Sequence, residues 1–248
     1  MTTKEIVIKT DKLTKRFGDF IAVNEISFEV NQGEIFGFLG ANGAGKTTAM
    51  KMLIGISKPS GGKAEVAGYD VYKQTEQIKK SIGYMSQKFS LYEDLTIKEN
   101  IQLFGGIYGL SDEQIETKSK NLIDKLNLQS EADKLIVSLP LGWKQKVAFS
   151  IAILHEPKIV FLDEPTGGVD PITRRQFWDL IYEAAHSGIT VFVTTHYMDE
   201  AEYCDRVSIM VDGAITALDS PDNLKAKFGA RSMEEVFIKL ARSAKRGE

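Results

Sequence analysis

The sequence predicts an α/β domain: a mostly parallel sheet with helices on both faces and a helical insertion in its middle. Three observations carry this. Ile159–Leu162 and Ile189–Thr194 read as continuous apolar runs, as strands buried on both faces do. The apolar run Ile35–Leu39 enters a glycine-rich stretch, Gly40–Gly45, and helix-compatible residues follow through Ile54, giving the order strand, loop, helix. Between about Phe89 and His155 the pattern changes to a helical period.

Each element has its own signal. Ahead of the glycine-rich loop, Ile26, Phe28 and Val30 alternate with Ser27 and Glu29, the period of a half-buried strand, and Gly33 punctuates it. In the insertion, Ser111 and Gln114 stand at capping-box spacing, with Ile115, Leu122 and Leu126 on one helical face. A second helix is expected from Trp143, with Val147, Ile151 and Leu154 on one side. Pro171 after Asp170, and then Gly188, mark the start and stop of a helix between the two apolar strands. A tail helix is expected near Ser232–Phe237, again opened by capping-box spacing. Ser243 to Glu248, small and charged, are expected to fray.

Composition narrows the partners. The net charge of −3, from 34 acidic and 31 basic side chains, argues against a broad phosphate-binding surface for DNA or RNA. The one cysteine, Cys204, cannot form an intramolecular disulfide and lies in no metal-ligand spacing, so it reads as packing in a reducing compartment. No stretch approaches the roughly 18 to 20 consecutive apolar residues that cross a bilayer. Met1-Thr2-Thr3-Lys4-Glu5 leads into a run too short for a signal peptide. A cytoplasmic chain is expected, reaching a membrane through a partner.

Gly40-Ala41-Asn42-Gly43-Ala44-Gly45-Lys46-Thr47, followed by Thr48, matches G-x-x-x-x-G-K-[ST] between a strand and a helix. Glycines let successive backbone N–H groups face a β-phosphate, and the helix N-terminus adds partial positive charge. Lys46 is expected to bridge β and γ oxygens and the Thr47 hydroxyl to ligate Mg²⁺. A phosphate clamp alone fits a kinase, a GTPase or an ATPase. The second half of the site is Asp163-Glu164, at the end of the run Ile159–Leu162, where open α/β sheets place ligands. Asp163 is expected to reach Mg²⁺ through water, and Glu164 to act as general base on the attacking water.

Further residues stand around these two in a set order: Phe17 in Leu13-Thr14-Lys15-Arg16-Phe17-Gly18, Gln87 in Gly83-Tyr84-Met85-Ser86-Gln87, Gly168-Val169-Asp170-Pro171, and His196 in Thr194-Thr195-His196. Over nearly the whole chain this order resembles the nucleotide-binding domain of ABC transporters. The resemblance implies a RecA-like P-loop NTPase core over 1–87 and 156–222, with an N-terminal antiparallel β subdomain. It also implies an inserted α-helical subdomain over 88–155 and a helical tail over 223–248. It implies ATP and Mg²⁺ as cofactors, Phe17 stacking on adenine, Gln87 sensing Mg²⁺ and the attacking water, and His196 contacting the γ-phosphate.

One motif departs from the family pattern. Where Leu-Ser-Gly-Gly-Gln is usual, this chain has Leu139-Pro140-Leu141-Gly142-Trp143, and Pro140 supplies neither hydroxyl nor N–H. Gly142 and the helix start behind it are left to present N–H groups to phosphate. Similar signatures occur in exporter-type members, so the resemblance implies an ATPase subunit of an exporter on the cytoplasmic face of the cell membrane. Its expected partners are an integral-membrane permease chain and a second nucleotide-binding domain, identical or different. Leu91–Asn100 resembles the segment that meets the permease, although Leu91, Tyr92, Leu95 and Ile97 equally fit an ordinary core. Two other classes share the motif set: soluble ABC ATPases that move no solute, and regulatory ATP-binding subunits with a degenerate signature.

Overall fold

The computed structural model describes residues 5–87 and 91–244. Among these residues two sheets form. The first contains β1 (Ile6–Phe17), β2 (Phe20–Asn31), β4 (Gly61–Val66) and β5 (Tyr69–Asp70), in the order β2-β1-β4-β5 and antiparallel throughout. The second contains β3 (Ile35–Gly40), β6 (Ile82–Met85), β7 (Ile159–Asp163), β8 (Thr190–Thr195), β9 (Arg206–Val211) and β10 (Ala214–Asp219). Its order is β10-β9-β3-β8-β7-β6, parallel except for the β9–β10 hairpin.

Burial explains the pattern of each strand. In β3, β7 and β8 every residue is buried, which is why they read as apolar runs rather than alternations. In β2, Ile26, Phe28 and Val30 are buried and alternate with exposed neighbours. Phe28 stacks on Phe36 at 5.5 Å and lies 5.6 Å from Phe38, so the two sheets share one aromatic core. Phe161 and Phe192 extend that core across β7 and β8.

The helices obey their caps. α3 (Ile97–Ile107) opens on a capping box between Thr96 and Glu99, and α4 (Asp112–Lys125) on the expected one between Ser111 and Gln114. α5 (Leu141–Ala152) starts two residues before Trp143, with Pro140 in the cap position supplying its carbonyl to the N–H groups of Trp143 and Lys144. α6 (Pro171–His186) is capped by the Asp170 side chain, which accepts from Ile172 and Thr173 N–H.

The remaining helices are α1 (Lys46–Leu53), α2 (Thr75–Ser81), α7 (Pro221–Phe228) and α8 (Met233–Ala244). α7 begins at Pro221 behind the Ser220 cap, so it crosses the 222/223 division expected from sequence. At α8 the Ser232 hydroxyl accepts from Glu235 N–H, but the Glu235 carboxylate reaches past the capping box to Arg231 N–H. Of the stretch Ser243–Glu248 expected to fray, Ser243 and Ala244 instead complete α8, while 245–248 lie outside the described residues, as does Phe89.

Among the described residues no helix is long and apolar enough to cross a membrane. Cys204 is buried, and burial pushes its thiol well above the ordinary value, which leaves it an unreactive packing group.

Candidate active site

The site lies at the carboxyl ends of β3, β7 and β8. β3 ends at Gly40, and the loop after it turns back into α1 at Gly45, whose φ is 101°. A Cβ at Gly45 would also meet the Ala22 carbonyl oxygen at 2.4 Å, so both backbone angle and space demand glycine there. Lys46, 4% exposed, is folded back over the loop: its Nζ donates to Gly40 O at 2.8 Å and Ala41 O at 3.2 Å. Its hydrogen-bonding capacity thus both shapes the loop and faces Glu164, whose Oε1 lies 3.3 Å away.

Phe17, Phe20, Asn42, Gly43, Gly45, Lys46, Thr47, Thr48, Gln87 and Glu164 line one open cavity of about 450 Å³. Gly40 and Ala44 are buried beneath the loop and Ala41 is exposed. Phe17 and Phe20, 55% and 67% exposed, pair across the Gly18-Asp19 turn, so two ring faces are available at the mouth. Sequence reasoning found Phe17 and missed Phe20. The signal was the tight Gly-Asp turn, which places residues on either side of it opposite one another.

The acidic pair is held by β8. Thr194 Oγ1 donates to Asp163 Oδ1 at 2.6 Å, and Thr47 Oγ1 reaches the same oxygen at 3.1 Å. Glu164 N–H donates to Thr194 at its carbonyl and its hydroxyl oxygen, both 3.1 Å away. Glu164 has φ 49°, a left-handed conformation uncommon for a side chain of its size, and this turns its carboxylate off the strand line toward the loop. Its Oε2 is met by Gln87 Nε2 at 3.0 Å and by His196 Nδ1 at 3.0 Å. Lys46, Gln87, the Asp163-Glu164 pair and His196 are therefore brought together from four separate stretches of chain. On β6, burial and the Asp163 charge push the Tyr84 hydroxyl up to about 12, so it remains neutral beside the acid.

Gly142 is not brought to this cavity. With Pro140, Leu141 and Trp143 it lines a second one, of about 290 Å³, closed by Gly168, Asp170 and Thr173. The two cavities share no lining residue. The glycine is demanded by close approach: a Cβ there would lie 2.3 Å from Thr173 Cγ2, and Thr173 Oγ1 in turn holds the Asp170 carboxylate. Gly142→Ala is expected to destabilise the chain by about 1–3 kcal/mol through overpacking. Thr173→Ser removes the clashing methyl and should restore most of that loss in the double variant, as melting temperatures of the four proteins will show.

Comparison with known proteins identifies the family. The family profile described as "ABC transporter" matches residues 23–167. The chain is 46% identical over 244 residues to the "Probable multidrug ABC transporter ATP-binding protein YbhF" of Escherichia coli (strain K12), covering 96% of this chain and 42% of that protein. It thus spans less than half the length of that relative. It is 36% identical over 234 residues to "Nod factor export ATP-binding protein I" of Rhizobium sp. (strain N33), covering 94% of this chain and 77% of that one. Among solved structures, "Structure of ATP binding subunit of ABC transporter" superposes with a TM-score of 0.85 at 29% identity, covering 94% of this chain and 99% of the other. A phosphate loop, an acidic strand end and a histidine converging on Glu164, with a family profile over more than half the chain, lead to one conclusion: the chain belongs to the ABC transporter family, as an ATP-binding domain of its ATPases.

Proposed function

We propose that the chain powers a membrane exporter by closing, with ATP, against a second nucleotide-binding domain packed head to tail. The observation that carries this is the separation of the two cavities. The phosphate loop, Gln87 and Glu164 lie in one, and Gly142 with the start of α5 in another. A γ-phosphate held by Lys46 meets a Gly142-type helix start only if that helix belongs to a second domain. α5 begins at Leu141, so its first-turn N–H groups, Gly142's among them, are the donors left after Pro140 has removed the usual hydroxyl. ATP then stabilises the closed pair because its charge is neutralised from both sides, and hydrolysis releases it.

Within one chain the roles follow from the contacts. Phe17 and Phe20 offer faces to the adenine. The N–H groups of the Gly40–Thr48 loop and the Lys46 ammonium take the phosphates. Because Lys46 stands between loop and Glu164, ATP competes with Glu164 for it, and capture of Lys46 by phosphate leaves Oε1 available to a water. Glu164 takes the proton from that water, Gln87 orients it, and His196 steadies the γ-phosphate.

The residues also fit Mg²⁺. Thr47 and Asp163 put a hydroxyl and a carboxylate oxygen 3.1 Å apart, the hard oxygen donors this ion takes alongside substrate phosphates. The described residues contain no cluster of three or more acidic, His or Cys side chains that could hold a metal ion. Gln87 presents its amide N–H to Glu164, so its carbonyl oxygen is the atom that would face the ion. When bound, Mg²⁺ offsets the charge that develops on the phosphoryl group.

Export is supported by the name of the Rhizobium relative, a Nod factor export ATP-binding protein. A membrane-spanning partner is supported by surface chemistry. Of the four apolar residues weighed in Leu91–Asn100, Leu91 and Ile97 are core, Leu95 is half-buried and Tyr92 is 51% exposed; Leu103 and Ile107 on α3 are exposed as well. The test is co-purification of a tagged Glu164→Gln variant from native membranes solubilised with ATP and Mg²⁺. A polytopic membrane protein in stoichiometric yield is the expected result, whereas only soluble partners would favour a non-transport ATPase.

A further inference from the structure

The Glu200 carboxylate is fully buried, and nothing in the reaction described above uses it. It lies in the 3-10 turn Met198–Tyr203 that follows β8. One oxygen, Oε1, accepts from the Thr166 hydroxyl at 2.5 Å, and the other, Oε2, accepts from the Thr195 hydroxyl at 2.5 Å. Arg174 of α6 approaches Oε1 with Nε at 3.6 Å, an ionic contact too long for a hydrogen bond. The same guanidinium stacks over the Tyr197 ring at 4.1 Å and pairs with Asp199 at 3.3 Å.

Position in the chain gives these contacts meaning. Thr166 is two residues after Glu164. Thr195 immediately precedes His196, and its Oγ1 also accepts from Tyr197 N–H at 3.0 Å, so both neighbours of His196 are tied down. Arg174 rides on the helix that Asp170 caps. One carboxylate thus clamps the loop that carries Glu164, the turn that carries His196 and the helix behind Gly168–Pro171. Burying a carboxyl group is costly unless its oxygens are fully partnered, and an apolar side chain of the same volume would fill the space at least as well. What an apolar side chain cannot do is fix two hydroxyls at a set distance.

We infer that Glu200 is a positioning residue: it sets the separation of Glu164 and His196, observed as 3.0 Å between Oε2 and Nδ1, and couples both to α6. The inference rests on the reading of Glu164 and His196 as the reacting pair. Displacing a catalytic group by about 1 Å costs on the order of 10²-fold in rate. The main effect is expected on kcat, because none of the hydrogen bonds and ion pairs that hold Glu200, Thr166, Thr195 and Arg174 involves the phosphate loop.

The test uses the full chain and its Glu200→Gln, Thr195→Val and Thr195→Ser variants. Glu200→Gln and Thr195→Val are expected to lower kcat by about 10- to 100-fold, with KM and the affinity for a fluorescent ATP analogue changed by about twofold or less. Thr195→Ser, which keeps the hydroxyl, should restore kcat. The second readout needs no turnover. The chain has three histidines, so the ring signals of His196 can be assigned by substituting the other two. Glu164→Gln should shift the His196 signals in the natural background and shift them much less in the Glu200→Gln and Thr195→Val backgrounds.

An equal shift in all backgrounds, or a kcat that merely follows the folded fraction, would overturn the positioning role. If the His196 shift behaves as expected while kcat is insensitive to Glu164 itself, the geometry stands and the assignment of the reacting pair is what fails. Should Glu200→Gln not fold, the Thr195 pair carries the same comparison.

Discussion

Glu164→Gln is expected to bind ATP at least as tightly as the natural chain and to hydrolyse it about 10²- to 10⁴-fold more slowly. The amide is nearly isosteric and still meets Gln87 and His196, so the site keeps its shape. It cannot accept a proton, and positioned general-base help is lost. Binding is preserved because the Lys46 ammonium, which Glu164 Oε1 holds at 3.3 Å, is no longer shared with a carboxylate and is free for the phosphates. Single-turnover hydrolysis alongside equilibrium binding separates the two effects, and normal turnover would remove Glu164 from the reaction.

Lys46→Ala should have the opposite signature, a loss at the binding step. The ammonium holds two loop carbonyls and offsets the charge of Glu164, whose side chain is only 9% exposed. Without it the loop loses its internal clamp, and an uncompensated carboxylate faces the incoming phosphates. Hydrogen bonds to charged groups are worth about 1.5–3 kcal/mol each, so ATP affinity should fall by about 100-fold or more. Thermal stability should fall as well, since removing one partner of a buried pair leaves the other unpaired. Isothermal titration with ATP measures the first effect, and unchanged affinity would contradict the assignment of Lys46 to the phosphates.

What was legible in the sequence was whatever chemistry imposes locally. The loop Gly40–Thr47 needs its glycines and lysine at short fixed spacing, β7 must be apolar to lie between β6 and β8, and Ser111 with Gln114 closes a helix end within four residues. These could be read because cause and consequence sit in one short stretch. The boundary of α5 was misplaced because Pro140 caps it through a carbonyl, with no side-chain signal. The Thr96–Glu99 capping box was overlooked inside a segment read for its apolar residues.

The site's tertiary half was hidden for a different reason. Nothing near Glu164 in sequence announces its φ of 49°, which is fixed by hydrogen bonds from its N–H to Thr194, thirty residues on. Nothing in the sequence sets Glu200 apart from Asp199 and Glu202 beside it. Its partners Thr166 and Arg174 lie far from it in sequence, and only the parallel pairing of β7 with β8 brings them under one carboxylate. Gly142 was singled out for the N–H it presents, whereas the close approach of Thr173 that demands a glycine there is one the sequence pattern does not specify.

Head-to-tail closure requires that two half-sites on one chain, the Lys46 cavity and the Gly142 cavity, serve two different copies of the nucleotide. It is tested most directly by the solution mass of the Glu164→Gln variant, measured by light scattering with and without ATP and Mg²⁺. The mass is expected to double only when both ATP and Mg²⁺ are present and to stay at one chain when Lys46→Ala is added. A single-chain mass under saturating ATP and Mg²⁺, with ATP shown to be bound, would contradict it.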